Sequence, residues 1–102
     1  MIEKVKTEHT DYLFKAVLSL ETIEECYKFF DDLCTVSEVT EMSKRLWVAR
    51  MLNESMPYSE ISALTGLSTA TISRVNRSLK YGSDGYTTVI KRLNDAGVGD
   101  EK

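Results

Sequence analysis

The chain has 102 residues, of which 42% are hydrophobic and 28% charged, and its formal net charge is −3 at pH 7. This size favours a single domain over residues 1–102, and the composition is typical of an ordinary soluble protein. The first ten residues lack the apolar core of a signal peptide, and no apolar run reaches the ~18 residues of a membrane span. Cys26 and Cys34 lack zinc-type spacing, which predicts reduced, buried thiols and no metal site. We therefore expect a cytoplasmic protein without a membrane partner.

Apolar residues recur at helical spacing along the chain, and strand-like alternation is missing, which predicts an all-α fold of five or six helices. The first helix is expected over residues 8–20. Its stretch from Tyr12 to Leu18 is apolar on nearly all sides, whereas a surface helix needs only one apolar stripe. We therefore expect a second subunit to cover part of this helix.

The second and third helices each begin with a capping-box pattern, in which a threonine precedes a glutamate by three residues. Thr22 pairs with Glu25 in the first case, and Thr35 pairs with Glu38 in the second. The third helix is expected to end near Asn53. One face of it carries Val39, Met42, Leu46, Ala49 and Leu52, while Val48 and Met51 point elsewhere. Burial from more than one side makes residues 8–54 the predicted dimerisation helices of an interlocked homodimer.

Residues 57–81 have the pattern of a helix-turn-helix. Ile61 and Leu64 are the predicted inner face of a short helix, which Gly66 ends because glycine adopts left-handed backbone conformations without steric cost. Leu67 is expected to pack into the corner, and Ser68 is a good N-cap for the following helix. The inner face of that second helix consists of Ile72, Val75 and Leu79.

The outward face of the second helix is suited to DNA. In a helix-turn-helix, the N-terminal residues of the second helix contact base edges while flanking groups hold phosphates. Small residues and hydroxyls come first along the helix, and two arginines follow. The predicted DNA-contacting residues, including one at the start of the preceding helix, are Tyr58, Ser68, Thr69, Ala70, Thr71, Ser73, Arg74 and Arg77. The alternatives are an exposed helix of a simple bundle and, for Tyr58, an amphipathic cap at a helix end.

Positive charge is concentrated in the same half of the chain. Residues 1–40 have four basic and nine acidic side chains, residues 41–81 have six basic and three acidic, and residues 82–102 have three basic and four acidic. The acidic total is therefore compatible with a DNA-binding surface. Because one such module neutralises few phosphates, we expect two copies to act together on a palindrome.

The C-terminal segment predicts a last helix over residues 84–95. Asp84 is the expected N-cap, Gly97 is expected to end the helix, and a polar frayed tail follows. Nothing in the chain predicts catalysis or a cofactor. The single histidine, His9, has no nucleophile beside it, and glycine-rich phosphate loops and metalloprotease motifs are missing.

From Leu33 to Lys80 the chain resembles the Trp repressor family of bacterial transcriptional regulators. The resemblance is carried by "LCT", "KRL", "EISALTG" and above all "TATISRVNRSLK". Within the family, the chain is similar to the Trp-repressor-related branch of small Gram-positive proteins rather than to Trp repressor itself. The resemblance implies a Trp-repressor-like helical bundle, an intertwined homodimer, a recognition helix in the major groove, and a small effector that sets the angle of that helix.

The resemblance also implies an effector site, whose residues here would be Thr35, Arg45, Arg74 and Ser78. Tryptophan-binding members have glycine directly after the second arginine, whereas this chain has Val75, whose added carbons would crowd the ligand. Simpler explanations exist for Thr35 as an N-cap, for Arg74 as a phosphate contact, for Ser78 as an exposed helix residue and for Val75 as part of the core. Tryptophan, another small effector and no effector at all therefore remain open.

Two functions follow from these observations. The first is a homodimeric, sequence-specific DNA-binding regulator, expected to be a repressor, whose partners are double-stranded DNA, a second copy of the chain and, on one alternative, a small-molecule effector. The second is a protein-interaction module that has the helix-turn-helix shape but does not bind DNA.

Overall fold

The computed structural model describes residues 2–99, which form seven helices and no strand. The prediction of an all-α fold is confirmed, although the first short helix was not expected. In chain order the helices are α1 (Ile2–Val5), α2 (Glu8–Leu18), α3 (Ile23–Leu33), α4 (Val36–Asn53), α5 (Tyr58–Thr65), α6 (Thr69–Tyr81) and α7 (Gly85–Asp95). Contacts divide the chain into an N-terminal unit, residues 1–39, and a C-terminal unit, residues 40–102. That these units make up one domain stays a prediction.

Threonine caps start the longer helices of the N-terminal unit. The side chains of Thr7, Thr22 and Thr35 each accept a hydrogen bond, 3.1 Å long, from the backbone N–H three residues later. At Thr35 the box is reciprocal, because its N–H donates to Glu38 Oε1 at 2.7 Å. At Thr22 it is not, because Glu25 Oε1 instead accepts from the N–H of Glu21. Both predicted helix starts are confirmed.

Apolar side chains of the N-terminal unit remain exposed. None of the residues of α1, α2 or α3 is buried. The exposed residues include Tyr12, Phe14, Leu18, Ile23 and Tyr27. Cys34 is half-buried and Cys26 is exposed, and both are free thiols, so the expectation of a buried thiol is wrong for Cys26. Its position on α3 faces solvent within a single chain.

The buried core lies in the C-terminal unit and contains Val48, Ala49, Met51, Ile61, Ile72, Val75 and Ile90. The predicted face of α4 that carries Met42 and Leu46 is therefore partly wrong, whereas the expected burial of Val48 and Met51 is confirmed. Val48 and Met51 are buried, whereas Met42 and Leu46 are exposed, because only the last two turns of α4 contribute buried side chains to this core. Leu64 was also assigned to the inside, but 66% of it is exposed.

Hydrogen-bonded caps also end α4 and α7. At Gly97 (φ 75°), the N–H of Val98 donates to Leu93 O at 2.9 Å. Gly97 therefore ends α7 as predicted, in a left-handed conformation that glycine adopts readily. Ser55 (φ 64°) ends α4 in the same way. Asp84 precedes α7, but its side chain makes no capping bond. Its left-handed backbone (φ 65°) differs from the extended conformation typical of side-chain N-caps, so the predicted capping role is wrong.

Candidate nucleic-acid interface

A short turn between α5 and α6 is held by several hydrogen bonds. Gly66 is left-handed (φ 74°), and its N–H donates to Ser62 O at 2.8 Å. The Ser62 hydroxyl donates to Leu67 O at 2.8 Å, and the Thr65 hydroxyl accepts from Leu67 N–H at 3.2 Å. Backbone and side chains together therefore fix the direction in which the chain enters α6.

Burial of one face determines how α6 is presented. Ser68 caps the helix by accepting from Thr71 N–H at 3.2 Å. Ile72 is fully buried and Val75 is 4% exposed, while Leu67 and Leu79 pack half-buried against the same core. The predicted inner stripe of α6 is therefore correct, and the opposite side of the helix faces solvent.

The solvent-facing side of α6 carries a shallow concavity of about 280 Å³, which we call the α6 concavity. It is lined by Ala70, Ser73, Arg74 and Arg77. Four of the residues predicted to contact DNA therefore lie together on one surface. The small side chains of Ala70 and Ser73 leave room above the helix backbone, and the two arginines border that room.

Electrostatics distinguish this surface from the rest of the chain. No acidic residue occurs between Glu60 and Asp84, a stretch that contains Arg74, Arg77 and Lys80. The ion pairs formed by residues 2–99 join Lys28 to Glu24, Arg50 to Glu54 and Lys91 to Asp95. Neither arginine of the α6 concavity takes part in them, so both guanidinium groups are available to an external anion or acceptor.

The other predicted DNA-contacting residues occupy different environments. Thr69 is exposed at the start of α6, next to the α6 concavity. Ser68 and Thr71 hydrogen-bond to each other through their hydroxyls at 3.1 Å, and Thr71 is half-buried. Tyr58 packs half-buried against the core, a position that matches the alternative of an amphipathic cap. Base or phosphate contacts by these residues stay predictions.

The sequence matches a family model, Trp repressor protein, over residues 8–94. The chain belongs to the Trp repressor family. A relative in Bacillus subtilis (strain 168), the uncharacterised protein YerC, is 50% identical over 94 residues, which are 92% of this chain and 90% of YerC. Its name assigns no activity.

Two solved structures are similar over nearly their whole lengths. A TrpR-like protein of Eubacterium eligens ATCC 27750 is 52% identical, with a TM-score of 0.87 over 90% of this chain and 95% of that protein. A protein of Staphylococcus aureus, described as a candidate Trp repressor, is also 52% identical, with a TM-score of 0.88 over 92% of this chain and 94% of that protein.

Residues that correspond to the effector site of the Trp repressor family occupy several places. Thr35 belongs to the N-terminal unit, where its side chain caps α4. In the C-terminal unit, Arg45 is exposed on α4 and Ser78 is exposed on α6, whereas Arg74 lines the α6 concavity. Val75 fills core, as the simpler interpretation of the sequence predicted. The assignment of these residues to an effector site stays a prediction.

Sequence reasoning missed a group of contacts around Arg50 in the C-terminal unit, which we call the Arg50 cluster. Arg50 Nη2 donates to the carbonyl of Gly99 at 2.8 Å, its Nε lies 3.7 Å from Glu54 Oε2, and its guanidinium carbon lies 4.8 Å from the Trp47 ring centroid. The backbone at Gly99 is therefore held, and the expected fraying does not begin there. Residues 100–102 lie outside the described part. The spacing of Trp47, Arg50 and Glu54 on one helix could have indicated the contacts of Arg50 with Trp47 and Glu54, but not its bond to Gly99.

The Arg50 cluster borders a second concavity, of about 140 Å³, whose lining is almost entirely apolar. It is lined by Leu46, Trp47, Arg50, Ile90, Leu93, Asn94, Val98 and Gly99. Arg45 lines neither this concavity nor the α6 concavity. Within residues 2–99, no group of three or more histidine, cysteine or acidic side chains is arranged to hold a metal ion. None of the helices described is long and apolar enough to cross a bilayer.

Proposed function

We propose that this protein is a cytoplasmic, sequence-specific DNA-binding transcriptional regulator that acts as a homodimeric repressor on a palindromic operator. The α6 concavity carries the proposal, because a helix of a helix-turn-helix presents two small side chains and two arginines without ion pairs on its solvent face. Membership of the Trp repressor family supports it. The descriptions of the E. eligens and S. aureus proteins, TrpR-like and candidate Trp repressor, are consistent with it.

The homodimer is supported by apolar surface in each unit taken separately. In the N-terminal unit, Tyr12 and Leu18 are 77% and 84% exposed. In the C-terminal unit, Leu46 and Trp47 are exposed beside the apolar concavity of about 140 Å³. Exposed apolar surface of this kind favours an interface, and a second copy would also double the positive charge offered to DNA.

Tryptophan is not expected to be required for DNA binding. Val75 belongs to the same buried core as Ile72 and Ile90, at the position where tryptophan-binding members have glycine. Arg74, the second arginine of the implied effector pair, already lines the α6 concavity. We propose that Arg74 contacts the phosphate backbone, and an effector other than tryptophan would have to bind a differently shaped pocket.

The test is selection of genomic DNA fragments by the purified full-length protein at moderate salt, with and without tryptophan. We expect enrichment of a palindrome whose half-sites are centred about ten base pairs apart. A variant carrying Arg74→Ala and Arg77→Ala should lose most of that enrichment. The matched control is Arg92→Ala, which removes the same kind of charge from an exposed position on α7 and should keep it.

Two outcomes would contradict parts of the proposal. If tryptophan were required for enrichment, the argument from Val75 would be wrong. If no sequence were enriched at low salt, even with cell extract supplying small molecules, the DNA-binding function would be rejected. A helix-turn-helix-shaped module that binds protein would then be the better explanation, and sedimentation velocity would still test the dimer independently.

A further inference from the structure

The two arginines of the α6 concavity are not equivalent. Successive residues of an α-helix are rotated by about 100° around the axis, so Arg77 lies about 20° from the direction of Ala70, and Arg74 about 40° to the other side. The buried Ile72 and Val75 point within about 40° of the opposite direction. Ala70 and Arg77 therefore define the line of α6 that faces directly away from the core.

Arg77 is also placed to reach the N-terminal half of the helix. Helical side chains lean toward the N-terminus and cover the preceding turn. Arg77 accordingly lines the same concavity as Ala70, whose Cα lies seven residues earlier, or roughly 10 Å along the axis. Ala70 and Ser73 are small enough to leave this path open.

The position favours a base over a phosphate as the partner of Arg77. When a recognition helix enters the major groove with its core-facing side outward, the line opposite the core points at the groove floor, where base edges lie. Side chains displaced to either side point toward the groove walls, which are formed by the phosphate backbones. Arg74 is one such side chain, and Lys80, about 80° from the direction of Ala70, is another.

The chemistry of the side chain then identifies the base. A guanidinium group presents two parallel N–H donors, and guanine is the base that presents two acceptors, N7 and O6, in the major groove. Arg77 has no acidic residue within its own stretch of chain and no partner among the ion pairs of residues 2–99. We propose that Arg77 reads one guanine in each operator half-site, an inference that rests on the proposed DNA-binding function.

The experiment compares the base preferences of four proteins: wild type, Arg77→Ala, Arg77→Gln and Lys80→Ala. Each full-length protein selects sites from a randomised DNA pool, and its affinity for the wild-type site is measured at several salt concentrations. Lys80→Ala is the matched control because it removes one cation from the same helix at an exposed position. Circular dichroism confirms that each variant folds.

If Arg77 reads guanine, Arg77→Ala loses the preference for one G·C pair in each half-site. Wild type should prefer that guanine by roughly 5- to 150-fold over other bases. Arg77→Gln should shift the preference toward adenine, whose N6 and N7 match a glutamine amide. Lys80→Ala should bind more weakly with the same base preferences and a shallower salt dependence.

The inference is overturned if Arg77→Ala behaves as Lys80→Ala does, with all sites weakened alike and the base preferences unchanged. Arg77 would then be a phosphate contact, and the proposed regulator function would stand. If wild type enriched no site at all, the proposed DNA-binding function would be rejected, and the inference that Arg77 reads guanine would be rejected too. The wild-type selection therefore separates the two failures.

Discussion

Different kinds of interaction are found within each of the two units of this protein. In the N-terminal unit, α2, α3 and α4 each begin at a threonine whose side chain caps the helix, and no side chain of α1 to α3 is buried. In the C-terminal unit, seven apolar side chains are buried together, while α5 and α7 begin without a side-chain capping bond. Within one chain, the N-terminal unit therefore has local hydrogen bonds but no buried core, whereas the C-terminal unit has a buried core.

Local hydrogen bonds alone do not hold short helices in water. The helices α2 and α3 have 11 residues each, and isolated helices of that length are marginal even for favourable sequences. The caps therefore determine where these helices start, whereas burial of their apolar side chains has to come from another source. We propose a second subunit as that source, which would make the N-terminal unit an interface while the C-terminal unit carries the proposed DNA recognition.

The largest effect is expected from truncating a core side chain of the C-terminal unit. Ile72→Ala removes three carbons from a fully buried position, and such changes typically cost about 2–5 kcal/mol because a cavity remains. Urea unfolding followed by circular dichroism measures the loss. The neighbouring Ser73→Ala, at an exposed position on the same helix, serves as the control and should change the free energy of unfolding by less than about 0.5 kcal/mol.

The next largest effect would distinguish an interface from a solvated surface. Leu18 is 84% exposed on α2 and Leu64 is 66% exposed on α5. If the protein were a monomer, replacing either leucine by alanine should hardly change the free energy of unfolding. If a second copy covers α2, Leu18→Ala should cost about 1–3 kcal/mol and weaken the dimer, whereas Leu64→Ala should be nearly neutral. Sedimentation equilibrium and unfolding at several protein concentrations measure both quantities. Equal, small effects would argue against a partner on α2.

Local patterns in the sequence were sufficient to predict much of the C-terminal unit. The left-handed Gly66, the Ser68 cap and the buried pair Ile72 and Val75 all follow from residue type and short spacing. The outward face of α6 followed as well, because a buried stripe at helical spacing also fixes the opposite side. In the N-terminal unit, the capping-box pattern likewise predicts the helix starts at Thr22 and Thr35.

Features that depend on distant parts of the chain could not be predicted in this way. On α4, the pattern predicts burial on more than one side but cannot tell which apolar residues are buried within the chain, where Val48 is buried and Met42 is exposed. The bond from Arg50 to Gly99 joins residues 49 positions apart, and spacing cannot reveal it. Asp84 is a good N-cap by residue type, but the backbone that leads into α7 adopts a left-handed conformation there.

A smaller effect is expected from removing a helix cap of the N-terminal unit. Thr22→Ala deletes the acceptor of the Glu25 N–H and should cost about 1 kcal/mol, since N-cap truncations cost about 0.5–2 kcal/mol. The control is Thr40→Ala, at a solvent-exposed position away from the ends of α4. Alanine is the better helix former there, so stability should be unchanged or slightly higher. Thermal unfolding of both variants at one protein concentration makes the comparison. If Thr40→Ala lost more stability than Thr22→Ala, the capping bond of Thr22 would not be what stabilises the start of α3.

The smallest effect concerns the charge of the cap at α4. The backbone N–H of Thr35 donates to Glu38, and the Thr35 hydroxyl adds to this, so the pKa of Glu38 lies below its ordinary value. A carboxyl group with a lowered folded-state pKa stabilises the folded protein above the unfolded-state pKa, and that contribution disappears as the pH falls through the folded-state pKa. Glu38→Gln keeps an acceptor but removes the charge, so the variant should be slightly less stable than wild type near pH 7. The difference should shrink as urea unfolding is repeated down to about pH 3, below the ordinary glutamate pKa. A difference that stayed constant across this range would mean that the shape of the side chain, rather than its charge, stabilises the start of α4.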